Sequence, residues 1–351
     1  MNYEVRDKIV SVDCLYRAMM KCRHNVMWKD SVASYVNNGM INCLKLREDV
    51  LSGNYSINPY SIFYIHEPKL RKIVATRMKD RVLQRSMCDN YLTAKVTRSF
   101  IYDNCACQEG KGTQFARDRL KCHLQRFFRK HGNNGYVLKC DISNYFGSTP
   151  HNVAINTMKR FIDDEWVMEE VTRVINSFND GDDPNVGMGL GSQLTQLIQL
   201  AILNDIDHII KEMLKIKHYI RYMDDFILIH EDKEYLLYCK QIIQNLLGQK
   251  GLSLSKKKTQ IFKLEQPIRF LGFTYRLTPS GRVILRMNKD KISHERRKLK
   301  KQIARAMEGK MTYKAVNDCF TSWKAHAKNG DSYKLIGMMN KFYKRQVSKN
   351  G

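Results

Sequence analysis

Acidic residues are the scarce class in this chain: its 351 residues hold 35 Asp and Glu against 60 Lys and Arg, a formal net charge of +25. Long apolar runs are also missing. No stretch approaches the roughly eighteen consecutive apolar residues of a membrane span, so no membrane span is expected. The opening "MNYEVRDKIVSVDCLYRAMMKCRHN" scatters charge where a secretory signal would have an apolar core. A cytoplasmic location is therefore expected, with the ten cysteines reduced. Zinc spacing is absent too: "CACQ" (Cys105, Cys107), with Cys122 and His123, lacks the CxxC pairs of a structural site. The ten histidines contain no H-E-x-x-H pair, and "GKGT" at 110–113 lacks the spaced glycine of a phosphate-binding loop. No internal repeat and no low-complexity linker interrupts the chain. What remains is a strong positive field, which a small neutral metabolite does not require and a phosphate backbone does. Anionic lipid and ribosomes are the competing partners for such a surface.

Periodicity divides the chain into interleaved elements. Residues 1–50 read as helical and stop at "SGNYSINPY", where Gly, Asn and Pro break the pattern. "YSIFYIHEP" alternates as a strand, and "KLRKIVATRMKDRVLQRSMCDNYL" passes from strand to a helix with a basic face. "GTQFARDRLKCHLQRFFRKHG" is a helix that Gly132 should stop. "NGYVLKCDISNYFGSTP" is an apolar strand entering a polar turn, followed by helix to Phe178. "GMGLGSQ" opens a helix expected to run through Lys215, and "YIRYMDDFILIH" reads as a hairpin. A further helix, strands at "FLGFTYRL" and "GRVILRM", and a basic helical tail from Asp290 complete the pattern. Without a βαβ period, the expected class is α+β around an antiparallel sheet.

The acids that are present are placed suggestively. Asp224 and Asp225 sit between two β runs, and Asp141 ends another. Three carboxylates at the ends of adjacent strands can hold two divalent cations about 4 Å apart for in-line phosphoryl displacement. The competing reading is an ordinary turn, where Asp is common.

"YMDD" between β runs resembles the catalytic box of reverse transcriptases, and "DISNYF" resembles their first aspartate box. "EPKLRKI", "GMGLGSQLTQ", "LSLSKKKTQI" and "FLGF" follow in the family's order, so the resemblance spans about residues 60–275. It implies a right-hand polymerase: an N-terminal region and fingers over 1–135, a palm over 136–275 and a basic helical thumb over 276–351. It also implies synthesis of DNA on RNA with two Mg2+ ions, Mn2+ being an alternative. Asp141, Asp224 and Asp225 would be catalytic and metal-binding, with Ile142 a further metal-binding position.

The same resemblance assigns Lys69 and Arg71 to the incoming triphosphate. Alternate residues on a strand share a face, so a Lys-x-Arg pair can offer two cations to one polyphosphate; a solvated basic edge is the other reading. Phe146 matches an aromatic gate that would collide with a ribose 2′-hydroxyl, the alternative being plain core packing. Gly191 and Gln196 fall in the nucleotide-binding box, Gly191 as a close backbone approach or merely a helix-start turn. At Leu190 the box departs from the usual Gln, as it does in diversity-generating retroelements that copy adenines inaccurately. Lys258 matches a general acid beside the leaving pyrophosphate, or belongs to a solvated lysine patch. Phe270, Leu271 and Gly272 match the primer grip, or are core.

The tail alternates basic residues with apolar helical spacing, as suits a thumb tracking a duplex backbone. Trp323 and His326 resemble the thumb ends of retroelement and group II intron-like enzymes, and no RNase H or endonuclease domain is expected after "FLGF". The leading expectation is an RNA-directed DNA polymerase of a bacterial retroelement, of diversity-generating type. It would act with an RNA template, a DNA or RNA primer, dNTPs, a structured non-coding RNA, and an accessory protein or further copies of itself. Two alternatives stand beside it: a defence polymerase making untemplated or RNA-templated DNA, and an RNA-binding maturase or scaffold.

Overall fold

Helices come first because apolar residues recur there at helical spacing. A computed structural model describes residues 3–66, 70–178, 183–189 and 191–348. α1 (Tyr3–Ile9), α2 (Val12–Cys22), α3 (Asp30–Asn37) and α4 (Gly39–Leu51) fill the N-terminal region. Ser11 starts α2 by accepting the Cys14 amide, and Cys14, Leu15, Ala18 and Met19 form its buried stripe. A two-stranded antiparallel ribbon follows, β1 (Ser61–Ile65) against β2 (Arg71–Ala75), with Phe63 opposite Ile73. α5 (Met78–Met87), a π-helical turn (Cys88–Leu92) and α6 (Thr93–Thr97) form one continuous run. α7 (Thr113–His131) ends where Gly132 takes φ 60°, and Arg129, Lys130 and His131 complement its C-terminal dipole.

β3 (Tyr136–Asp141) leads into α8 (Tyr145–Ser148), α9 (His151–Met158) and α10 (Glu165–Asn176). The helix expected to run through Lys215 is instead divided. α11 (Gln193–Ile202) ends at Leu203, and α12 (Asn204–His208) runs into a π-helical turn (Ile209–Met213). The break turns Asp207 inward, where it is fully buried. β4 (His218–Tyr222) and β5 (Asp225–His230) are the expected hairpin, and α13 (Lys233–Gln249), capped by Asp232, follows. β6 (Gln260–Lys263), β7 (Ile268–Phe270), β8 (Phe273–Leu277) and β9 (Val283–Met287) precede α14 (Lys289–Met307), α15 (Tyr313–Ala327) and α16 (Tyr333–Ser348).

The class is α+β, with three antiparallel sheets among the described residues rather than one. The central sheet has the order β4-β5-β3-β6, and β7-β8-β9 form a second meander. Both faces of the central sheet are covered, which is why β3 and β5 read as near-continuous apolar runs. Leu138, Cys140, Phe226 and Leu228 face the core shared with the N-terminal helices and α9–α13. Val137, Ile227 and Ile229 face a second core with α7 and β7–β9. A smaller core of Leu299, Ile303, Val316, Phe320 and Met339 joins α14–α16. No helix among the described residues is long and apolar enough to cross a membrane.

Candidate active site

Pairing across the central sheet brings the acids together. Asp141, the last residue of β3, stands directly opposite Asp225, the first of β5. Asp224 lies in the turn between β4 and β5, beside Met223, whose backbone is left-handed at φ 57°. Ile142 follows Asp141 and is bridged to Leu254, so the β3 end is fixed from the α13 side as well.

Each of the two opposed carboxylates holds an ammonium. Lys258 Nζ donates to Asp141 Oδ1 at 2.5 Å, which places the predicted Lys258 on the acid itself. Lys139 Nζ donates to Asp225 Oδ2 at 3.3 Å and to the Arg269 carbonyl at 2.6 Å. Asp225 Oδ1 is buried with no hydrogen-bond partner. Burial pushes the Asp225 carboxyl up to about 6; the Lys139 ammonium opposes this, and the charges of Asp141 and Asp224 reinforce it. An oxygen-rich end of a sheet, with one buried carboxylate oxygen unused, fits a hard divalent cation. Among the described residues no three His, Cys, Asp or Glu side chains converge as a finished metal cage. The acids share a sheet end, and a lysine sits on one oxygen of each of the two opposed acids.

Arg221 fixes the turn from inside. Only 1 % exposed, it donates through Nε and Nη2 to both oxygens of Asp207, at 2.7 and 2.5 Å. Its other donors reach the Leu200 carbonyl at 3.2 Å and the Met223 carbonyl at 3.1 Å. Tyr219 adds a hydrogen bond to Asp207 at 2.6 Å. A fork of donors thus connects the left-handed turn to α11 and α12.

Phe146 lies in α8, half-buried, its ring 5.9 Å from that of Tyr145 and edge-on to it. Its carbonyl accepts the Met188 amide at 2.7 Å, so the glycine-rich box is hung from the first aspartate box. Gly191 has φ 125°, and a Cβ there would meet open space, so its demand is conformational rather than steric. Ser192 caps α11 and donates to Gln84 at 2.7 Å, while Gln196 accepts from Cys107 at 3.4 Å. These residues, with Arg81 and Arg85, line a cavity of about 340 Å3. Phe270 is buried, and Leu271 and Gly272 form a two-residue hairpin turn with φ 46° and 84°. Lys69, Leu190 and the Arg71 side chain lie outside the described residues. Cys105, Cys107, Cys122 and the other cysteines are free thiols.

Lys139 and Arg221 are the residues that motif reading passes over. Lys139 had a signal: it lies two residues before Asp141 and so shares its strand face. Arg221 had none, because its partner is revealed only by the helix break after Ile202.

Residues 66–275 match the family model described as reverse transcriptase (RNA-dependent DNA polymerase). A Saccharomyces cerevisiae protein, "Putative COX1/OXI3 intron 1 protein", is 19% identical over 68% of this chain and 35% of its own length. Among solved structures, telomerase from Candida albicans, in complex with a fragment of telomeric RNA, aligns at 12% identity and TM-score 0.49. That alignment covers 67% of this chain and 46% of that one. Apo telomerase from Candida tropicalis aligns at 14% identity and TM-score 0.48, covering 63% of this chain and 47% of that one. The chain thus spans about a third to a half of the length of these relatives.

Proposed function

The chain belongs to the reverse transcriptase family, with the right-hand polymerase fold, and on that premise we propose that it copies RNA into DNA through the carboxylates at the β3–β5 end. The observation that carries this reading is the direct pairing of Asp141 with Asp225, Asp224 adjoining, around a buried carboxylate oxygen that has no partner. In the reaction, the primer 3′-oxygen bonds to the α-phosphorus of a dNTP and the bond to pyrophosphate breaks. Asp141, Asp224 and Asp225, with Ile142, would hold two Mg2+ ions. When bound, divalent cations acidify the attacking hydroxyl and neutralise charge on the leaving group.

The chain's own residues supply position. Arg221 holds the Met223–Asp224 turn, and Lys139 aligns Asp225 with the β7–β8 hairpin, where Phe270, Leu271 and Gly272 would press on the primer. Phe146 would exclude a 2′-hydroxyl, and Gly191 and Gln196 would line the nascent pair. Lys258, which donates to Asp141 Oδ1, would be placed on release from that acid to donate a proton to pyrophosphate. Lys69 and Arg71 remain assigned to the triphosphate by motif alone.

The biological setting proposed is a bacterial retroelement of diversity-generating type, with a structured RNA as partner. A second reading, RNA-binding service to an intron, is favoured by the name of the yeast relative. One experiment separates them. Asp141→Asn and Asp224→Asn should each abolish extension of a primed RNA template while RNA affinity stays within about twofold. Extension at the wild-type rate by either variant would overturn the assignment.

A further inference from the structure

The glycines of the glycine-rich box serve different ends. Gly187 and Gly191 have positive φ, 106° and 125°, whereas Gly189 does not. What Gly189 supplies is space: a Cβ on it would run into the Phe178 ring, at Cε1, Cδ1 and Cζ. Phe178 is 3 % exposed and directly follows Ser177, which ends α10.

The same ring has a second neighbour. Tyr60, immediately before β1, stacks on it with centroids 4.9 Å apart and planes 22° from parallel. The Tyr60 hydroxyl meets Ser177 Oγ at 2.5 Å, and Ser177 Oγ gives its own proton to the Val174 carbonyl at 2.6 Å. Tyr60 is therefore the donor. Burial pushes its hydroxyl up to about 12, so the proton stays on. The rest of the box is held from elsewhere. The Gly187 amide donates to the Thr149 carbonyl at 2.9 Å, and the His151 amide to the Asn185 carbonyl at 2.8 Å. Phe178 thus joins the root of the β1–β2 ribbon to the box. Motif reading assigns the ribbon to the triphosphate and the box to the nascent pair.

We propose that Phe178 is a positioning residue for nucleotide selection. Its ring, backed by Tyr60, sets how closely the backbone at Gly189 can approach, and through it where Gly191 meets the nascent pair. A flat ring against a bare Cα is a firm stop, because close-packed interiors yield little to small displacements. The inference rests on the polymerase reading above.

The test is insertion of a single nucleotide on a primed RNA template, reading KM for the correct dNTP, kcat and the frequency of misinsertion. Phe178→Leu and Gly189→Ala should each raise KM about tenfold and raise misinsertion, with kcat within about twofold. A purely structural defect would reduce the folded fraction, which lowers kcat and leaves KM where it was. Combining the two should give a KM no higher than the worse single variant, because leucine can move off the new methyl group. An increase of about a hundredfold, the product of two independent effects, would overturn the contact. Tyr60→Leu should raise KM in the same direction; a wild-type KM there would overturn the link to the ribbon. Wild-type KM and misinsertion in both Phe178→Leu and Gly189→Ala would overturn the whole inference, as would a fall in kcat alone. Failure of the polymerase reading looks different: the wild-type chain would itself insert nothing, which overturns both.

Discussion

Lys139 serves acceptors on two sheets at once, the Asp225 carboxylate and the Arg269 carbonyl, with its side chain 20 % exposed. Replacing it by Met leaves Asp225 beside Asp141 and Asp224 with no counter-charge. Lys139→Met should lower unfolding free energy by about 1–3 kcal/mol in metal-free buffer, read by urea denaturation. Adding Mg2+ should then recover more stability than it does in wild type; equal melts with and without the ion would contradict the argument. At Phe146, truncation to Ala should raise the ratio of ribonucleotide to deoxynucleotide incorporation. An unchanged ratio would leave the ring as packing against Tyr145. The acids were legible in the sequence because each interrupts an apolar β run, whereas the ammoniums on them were not. A lysine near an aspartate in sequence says nothing about which oxygen it will reach.

At the scale of elements, the hairpin, the strand-end aspartates and the terminal helices follow from periodicity, since period 2 and period 3.6 are distinct over such lengths. Two features escaped it. The sheet order places β3 between β5 and β6, a long-range choice no local pattern encodes. The α11–α12 break was hidden because "QLTQLIQLAILNDIDHII" stays apolar enough to pass as one helix. The break delivers Asp207 to Arg221, and both are essentially fully buried. Removing one charge strands the other, so Asp207→Asn should cost about 3–5 kcal/mol in chemical denaturation. A loss below about 1 kcal/mol would mean that water or another acid reaches Arg221.

For the whole molecule, the excess of cations predicts binding that releases counterions. Neutralising about six phosphates gives a slope of log affinity against log salt near −4 to −5. A nearly flat plot for a primed RNA template would contradict a backbone-tracking groove. Charge was fully legible in composition, but its arrangement was not. Where the cations gather and which acids they silence depend on packing, as the burial of Asp207 against Arg221 illustrates.

The rim of the central sheet has one more consequence. β4 is an outer strand, and Arg221 in it gives its amide to the Asp103 carbonyl and receives the Cys105 amide on its own carbonyl. Asp103 is itself anchored, accepting from Arg119 at 2.6 Å. A short length of the same chain therefore occupies the ladder beside the β4–β5 hairpin. An outer strand left bare would invite a neighbouring molecule to zip alongside it. Here that seam is already sewn shut, so neighbouring copies would not jam their hairpins together at Arg221.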